Sequence, residues 1–136
     1  MKKLIISTVV TGTVMFLLSW VLWGVVFMDF FKQHYAHIQR PEYDMKIWAF
    51  AISNYAGALF LYMLYSRSYK GGEPLKEGVN FGIIISLFSS VPYVFARWGG
   101  TTIKYTAAIV DGAILFLIYF IGSVITAYIH GKTEKA

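Results

Sequence analysis

Residues 4–28, LIISTVVTGTVMFLLSWVLWGVVFM, decide the fold because this run contains no charged side chain. A helix needs about 20 apolar residues to cross roughly 30 Å of hydrocarbon. The run is too long for the apolar part of a secretion signal, and no small residues spaced for cleavage follow it. We therefore expect a first transmembrane helix that stays in the mature protein.

Three further segments are apolar enough to cross a membrane, at residues 47–66, 79–96 and 106–129. The first of these is interrupted only by Asn54, the second is broken near its end by Pro92, and the last carries Asp111. Because proline is tolerated in a first helical turn, the third helix can begin at Pro74. The sequence predicts an all-α protein, a transmembrane four-helix bundle that forms a single domain over residues 1–136, with a polar and aromatic loop at residues 29–46.

The composition excludes several classes of protein. Of the 136 residues, 57% are apolar and 14% are charged, which a soluble domain of this size could not bury. The absence of cysteine excludes disulfides, thiolate metal sites and thiol redox chemistry. The net charge of +5 lies in short loops and at the ends, a pattern that flanks membranes. We expect the lipid bilayer as a partner, and no nucleic acid.

No motif of known chemistry is present. Phosphate-binding loops, nucleophile elbows and nucleotide fingerprints are absent. His34 and His37 lie three residues apart, but two histidines in a loop define neither the ligand number nor the geometry of a metal site. The sequence therefore predicts no cofactor, no metal and no catalytic residue, and it disfavours an enzyme.

Lysine and arginine in short loops indicate the orientation, because they are enriched on the cytoplasmic side. With the N-terminus inside, seven basic residues lie in the cytoplasm and five on the other side. The cytoplasmic set is Lys2, Lys3, Arg67, Lys70, Lys76, Lys132 and Lys135, and the opposite set is Lys32, Arg40, Lys46, Arg97 and Lys104. We expect a protein of the cell membrane with both termini in the cytoplasm.

Small residues recur at every fourth position of the third helix, at Gly78, Gly82, Ser86 and Ser90. Helices in lipid associate where small residues allow close approach of their backbones. This stripe predicts a packing seam inside the bundle. The alternative is a seam that faces a second copy of the chain.

Asp111 is the most informative residue, because an ionisable group within a span is costly and faces the bundle or water. It either binds a proton, a cation or a cationic part of a ligand, or forms a structural ion pair with Arg97 or Lys104. Asn54 either joins two helices or anchors a ligand. Trp20 and Trp23, three residues apart, are expected to share a face of the first helix, either as an aromatic belt or as pocket walls.

The chain resembles the small four-helix bacterial membrane proteins of a domain-of-unknown-function family, most closely over residues 72–132. The resemblance rests on Gly12, Trp20, Trp23, Glu77, Gly78, Gly82, Asp111 and Gly122. It implies four membrane helices and no assigned reaction.

The function expected from these features is that of an accessory or binding module. Its outward-facing polar and aromatic pocket would be built from Asp111, Asn54, Trp20, Trp23 and Arg97. The alternative is a small transporter or channel acting as a homo-oligomer, and a larger membrane complex is a further possible setting. Small multidrug exporters have a similar length but carry a glutamate in the first helix, whereas this chain has no acidic residue before Asp29.

Overall fold

The computed structural model describes the backbone of residues 1–134 and the side chains of residues 1–131, which leaves the Lys132 and Lys135 side chains outside the described part. Within residues 1–134 there are helices and no strand. The helices are α1 (Lys2–Val21, continued by a π-helical turn, Leu22–Val26), α2 (Met28–Tyr35), α3 (Ile47–Ser68), α4 (Pro74–Gly100) and α5 (Tyr105–Glu134), with a 3-10 turn at Glu42–Asp44.

Four of these helices are long and apolar enough to cross a membrane: α1 with its π-helical turn, α3, α4 and α5. The prediction of an all-α protein with four membrane-spanning helices is therefore confirmed, and the chain is a membrane protein. Successive spans run in opposite directions, so the α1–α3 and α4–α5 connections share one end of the bundle. We call this end, near residue 111, the Asp111 end, and the opposite one, where α1 begins, the terminal end.

Helix α4 is longer than the expected third span. The third span begins at Pro74, since a first helical turn tolerates proline. It continues through Pro92 to Gly100. The predicted break at Pro92 is wrong. Helices that cross membranes accommodate proline, because neighbouring helices and hydroxyl groups satisfy the carbonyl that proline leaves without a donor.

The predicted loop after the first span contains the short helix α2. The chain turns at Phe27 (φ −105°, ψ 14°), and α2 follows at once. Phe27, Phe31 and Tyr35 recur at every fourth position, and both Phe31 and Tyr35 are buried. This one-sided pattern packs α2 against the end of the bundle, so the segment is not a free loop.

Helix α5 lies at the centre of the arrangement, in contact with α1, α3 and α4. Its pairing with α4 is the most extensive in the molecule, and α1 pairs next most extensively with α3. The buried residues of α4 are the predicted stripe, Gly78, Gly82, Ser86 and Ser90. The seam therefore faces α5 within the same chain.

The buried face of α1 follows the same four-residue spacing, at Ser7, Thr11, Met15 and Ser19. The Thr11 and Thr126 hydroxyl groups lie 3.2 Å apart and join α1 to α5. Gly12 leaves room for the Tyr55 ring of α3, because a Cβ there would stand 2.5 Å from the ring. Small and hydroxyl side chains thus let three helices approach closely around α5.

Candidate functional site

Asp111 lies on the buried face of α5, with 4% of its surface exposed. Ala107 and Ala108, one turn earlier on the same helix, are fully buried, so the backbones around the carboxylate are close together. A buried carboxylate needs hydrogen-bond donors and a counter-charge. The surrounding helices supply both.

Three side chains from three different elements donate hydrogen bonds to this carboxylate. The indole Nε1 of Trp23 donates to Oδ1 at 2.8 Å. The hydroxyl groups of Tyr93 and Tyr35 both donate to Oδ2, at 2.7 Å and 3.0 Å. Because these donors come from the end of α1, from α2 and from α4, the carboxylate of α5 ties all four elements together.

Arg97 supplies the counter-charge. Its Nε lies 3.9 Å from Oδ2 of Asp111, which makes an ion pair without a direct hydrogen bond. The guanidinium Cζ lies 5.1 Å from the centre of the Tyr35 ring and 5.7 Å from that of Tyr93. Such cation–π contacts hold an arginine among aromatic rings without full hydration. We call Asp111, Trp23, Tyr35, Tyr93 and Arg97 the Asp111 cluster.

Tyr35 remains a donor over the whole physiological range. Burial first, and then the neighbouring Asp111 carboxylate, raise the pKa of its phenol well above the usual value. A raised pKa keeps the proton on the phenol at neutral pH, so the hydroxyl continues to donate to Oδ2. The Tyr35 hydroxyl therefore fastens α2 to α5 as a hydrogen-bond donor at neutral pH.

The π-helical turn Leu22–Val26 carries Trp23 to the carboxylate. A π turn holds more residues than an α turn, and it redirects the side chains that follow it. Trp23 is partly buried and bonds Asp111, whereas 63% of Trp20 is exposed. The two indoles do not share the cluster, although they lie three residues apart.

Asn54 also lies apart from the cluster. Its amide Nδ2 donates to the Phe50 carbonyl at 2.8 Å, and its Oδ1 accepts a hydrogen bond from the Ser19 hydroxyl at 3.1 Å. These are contacts within α3 and between α3 and α1. Of the five predicted site residues, the structure brings together Asp111, Trp23 and Arg97, and it places Asn54 and Trp20 elsewhere.

Tyr35 and Tyr93 are members of the cluster that the sequence reading missed. A signal for Tyr93 exists, because it lies four residues before Arg97 and so one turn away on the same face of α4. The signal for Tyr35 is the aromatic periodicity of α2. Neither signal identifies Asp111 as the hydrogen-bond acceptor, because Tyr35 and Tyr93 are both distant from Asp111 along the chain.

A polar groove of about 300 Å³ opens beside the cluster, lined by Gln33, His34, His37, Thr102 and Lys104. Nε2 of His37 and the Thr102 hydroxyl lie 2.7 Å apart, which ties α2 to the α4–α5 connection. Nδ1 of His34 lies 2.8 Å from the Phe30 carbonyl. Among the described side chains, those of residues 1–131, no group of three or more His, Asp or Glu could hold a metal ion.

The chemistry that this end supports is recognition through fixed polar groups. The Asp111 carboxylate already accepts three hydrogen bonds and faces a guanidinium, so it is enclosed and neutralised. The open polar surface is the neighbouring groove. The chain matches no family model, no curated protein and no solved structure.

Proposed function

We propose that this protein is a small non-enzymatic module of the cell membrane, which binds a ligand or a larger membrane complex through its Asp111 end. One observation carries the proposal: a carboxylate with 4% of its surface exposed is held by donors from three other elements. This arrangement fixes the short helix α2 beside a polar groove.

The energetics favour a role beyond stability for this arrangement. Burying a carboxylate costs several kcal/mol of desolvation, and well-packed apolar residues often stabilise a fold as well or better. The end of a helix bundle does not need such a cluster to be stable. Because Tyr35 ends α2 and His37 follows two residues later, the cluster and the His37–Thr102 contact together set the wall of the groove.

The orientation that we propose places the Asp111 end on the outer side, with both termini in the cytoplasm. The bias of seven basic residues against five supports it. Because the chain has no cysteine, single cysteines can report the topology. A cysteine at His37 is expected to react with an impermeant thiol reagent on intact cells, whereas one at Gly72 is expected to react only after lysis. The opposite labelling pattern would reverse the orientation.

The binding role is tested by separating folding from ligand retention. Changing Asp111→Asn alone, or Arg97→Gln alone, leaves one charge of the pair uncompensated and is expected to lower stability. The double variant removes both charges and is expected to recover much of that loss. If the cluster serves binding, the folded double variant loses the molecule that the wild-type protein retains in native mass spectrometry from mild detergent.

A double variant that is stable and retains the same molecule as the wild-type protein would remove the cluster from the binding role. Native mass spectrometry also reports the oligomeric state. A homo-oligomer in the wild-type spectrum would favour the alternative of a small transporter or channel.

A further inference from the structure

Two grooves open at the Asp111 end, and their linings include consecutive residues of the chain. The polar groove defined above is lined by Lys104, and an apolar groove of about 330 Å³ between α4 and α5 is lined by Tyr105. Lys104 and Tyr105 are consecutive, so their Cα atoms are about 3.8 Å apart. A ligand that contacts both linings needs a polar head and an apolar tail.

The depth of the two grooves matches the layers of a bilayer. Thr102 and Lys104 lie between the span that ends at Gly100 and the span that begins at Tyr105, which is the level of the headgroups. The apolar groove extends from Tyr105 to Phe116 along α5. At 1.5 Å per residue this is roughly 16 Å, about half of a hydrocarbon core of roughly 30 Å. The apolar groove thus has the length of one leaflet.

The charge of the polar groove favours an anion. Lys104 is exposed and forms no ion pair with any residue of the described chain. The groove contains two histidines and no acidic side chain. Glu42, Asp44 and Asp111 at this end are already ion-paired, and Asp29 lies at the far end of α2. Lys104 is therefore available to a phosphate.

The lining of the apolar groove suits a flexible chain. Phe95 and Phe116 supply large apolar surfaces, while Gly112 and Ala113 keep the space between them open. In α5, Gly112 is buried against Val94 of α4, and Ala113 is exposed within the groove. A larger residue at position 113 would occupy the groove without entering the core.

We propose that these grooves bind one anionic phospholipid, with its phosphate beside Lys104 and one acyl chain between α4 and α5. The inference rests on the proposed function, since it names the ligand of the same binding end. The phosphate is the shared chemistry of a lipid headgroup and of free phosphate. The length and apolar lining of the second groove favour the lipid.

The test measures lipid binding to the full chain in mild detergent by native mass spectrometry. Phosphatidylglycerol is the anionic probe, phosphatidylcholine is the zwitterionic one, and inorganic phosphate is the competitor. Lys104→Gln is expected to weaken phosphatidylglycerol binding about fivefold, which corresponds to about 1 kcal/mol per basic residue near an anionic surface. Its control is Lys46→Gln, at the same end but outside the groove, and it is expected to have little effect.

The acyl chain is tested separately with Ala113→Phe, which fills the apolar groove. This change is expected to weaken the binding of phosphatidylglycerol at least as much as Lys104→Gln does. Ala96→Phe, an exposed alanine of α4 outside the groove, is its control. Both alanine variants place an aromatic ring on an exposed surface, so they differ only in whether the groove is filled.

Three results would overturn the inference. Equal binding of both lipids with no effect of Lys104→Gln would remove the headgroup site. Full competition by inorganic phosphate with no effect of Ala113→Phe would identify a free-phosphate site. A dimer that Ala113→Phe abolishes would assign the apolar groove to a second copy. Loss of the lipid in Lys104→Gln but not in the Asp111→Asn, Arg97→Gln double variant would instead support the lipid site and contradict the role proposed for the cluster.

Discussion

Helices α4 and α5 are joined in two different ways at the two ends of their long interface. Near the terminal end the contact depends on shape: a Cβ on Gly78 would stand 2.6 Å from the Ala127 Cβ, and one on Gly82 would stand 3.2 Å from the Ser123 Cβ. At the Asp111 end the contact depends on charge, because Tyr93 and Arg97 of α4 reach the carboxylate of α5.

The difference between these two ends predicts how each responds to substitution. Close backbone packing depends on the size of each residue. A larger side chain therefore weakens the contact, and nothing else about that residue can offset the loss. A charge pair depends on balance, so the removal of both charges restores much of what the removal of one loses. The same pair of helices therefore offers a direct comparison of the two mechanisms.

The largest effect is expected from Asp111→Ala. The change leaves the Arg97 guanidinium without its counter-charge and three hydrogen-bond donors without their acceptor, and it is expected to lower the free energy of unfolding by about 3–5 kcal/mol. The measurement is unfolding in mixed micelles of mild and denaturing detergent. Asp29→Ala, an exposed carboxylate at the same end, is the control. A loss below about 1 kcal/mol would show that the cluster does not stabilise this end.

The next largest effect is expected from Gly82→Leu, because the new side chain meets the Phe120 ring and the Ser123 Cβ. Overpacking costs about 1–3 kcal/mol, and a whole leucine side chain at a close helix crossing places this change at the upper end, about 3 kcal/mol or more. Gly99→Leu is the matched control, since nothing lies within 4 Å of a Cβ at that position. Unchanged thermal stability in detergent would mean that α4 does not pack on α5 at Gly82.

A smaller loss, about 1.5–3 kcal/mol, is expected from Tyr93→Phe, which removes one hydrogen bond to a charged acceptor and keeps the ring. Tyr43→Phe is the control, because 92% of that residue is exposed. In a protein that already carries Asp111→Ala, the cost of Tyr93→Phe should fall to nearly zero. An undiminished cost in that background would assign the Tyr93 hydroxyl to a partner other than Asp111.

The smallest effect is expected from Thr11→Val, which removes the hydroxyl contact between α1 and α5. Hydrogen bonds between helices in membranes contribute about 0.6 kcal/mol on average. Thr8→Val is the matched control: its hydroxyl is buried and, within the described residues, has no hydrogen-bond partner, so its removal should cost nothing. Equal effects of the two changes would show that the Thr11–Thr126 contact does not stabilise the bundle.

The sequence predicted the shape-dependent half of the α4–α5 interface and only part of the charge-dependent half. The stripe of Gly78, Gly82, Ser86 and Ser90 is readable because its spacing repeats within one helix, and all four residues are buried. The sequence also singles out Asp111, because charged residues are rare within membrane spans. Trp20 shows the limit, since proximity to Trp23 in the chain did not place both indoles at the carboxylate.

By itself the sequence determined that the chain crosses a membrane with four helices, because the transfer of a long apolar run into lipid depends only on that run. It also determined the small-residue face of α4. Only the tertiary structure decided which groups surround Asp111. Trp23 is 88 residues away from it along the chain, and Tyr35 is 76 residues away. Such contacts arise from the packing of helices around α5 and from a π-helical turn, neither of which local hydropathy or spacing encodes.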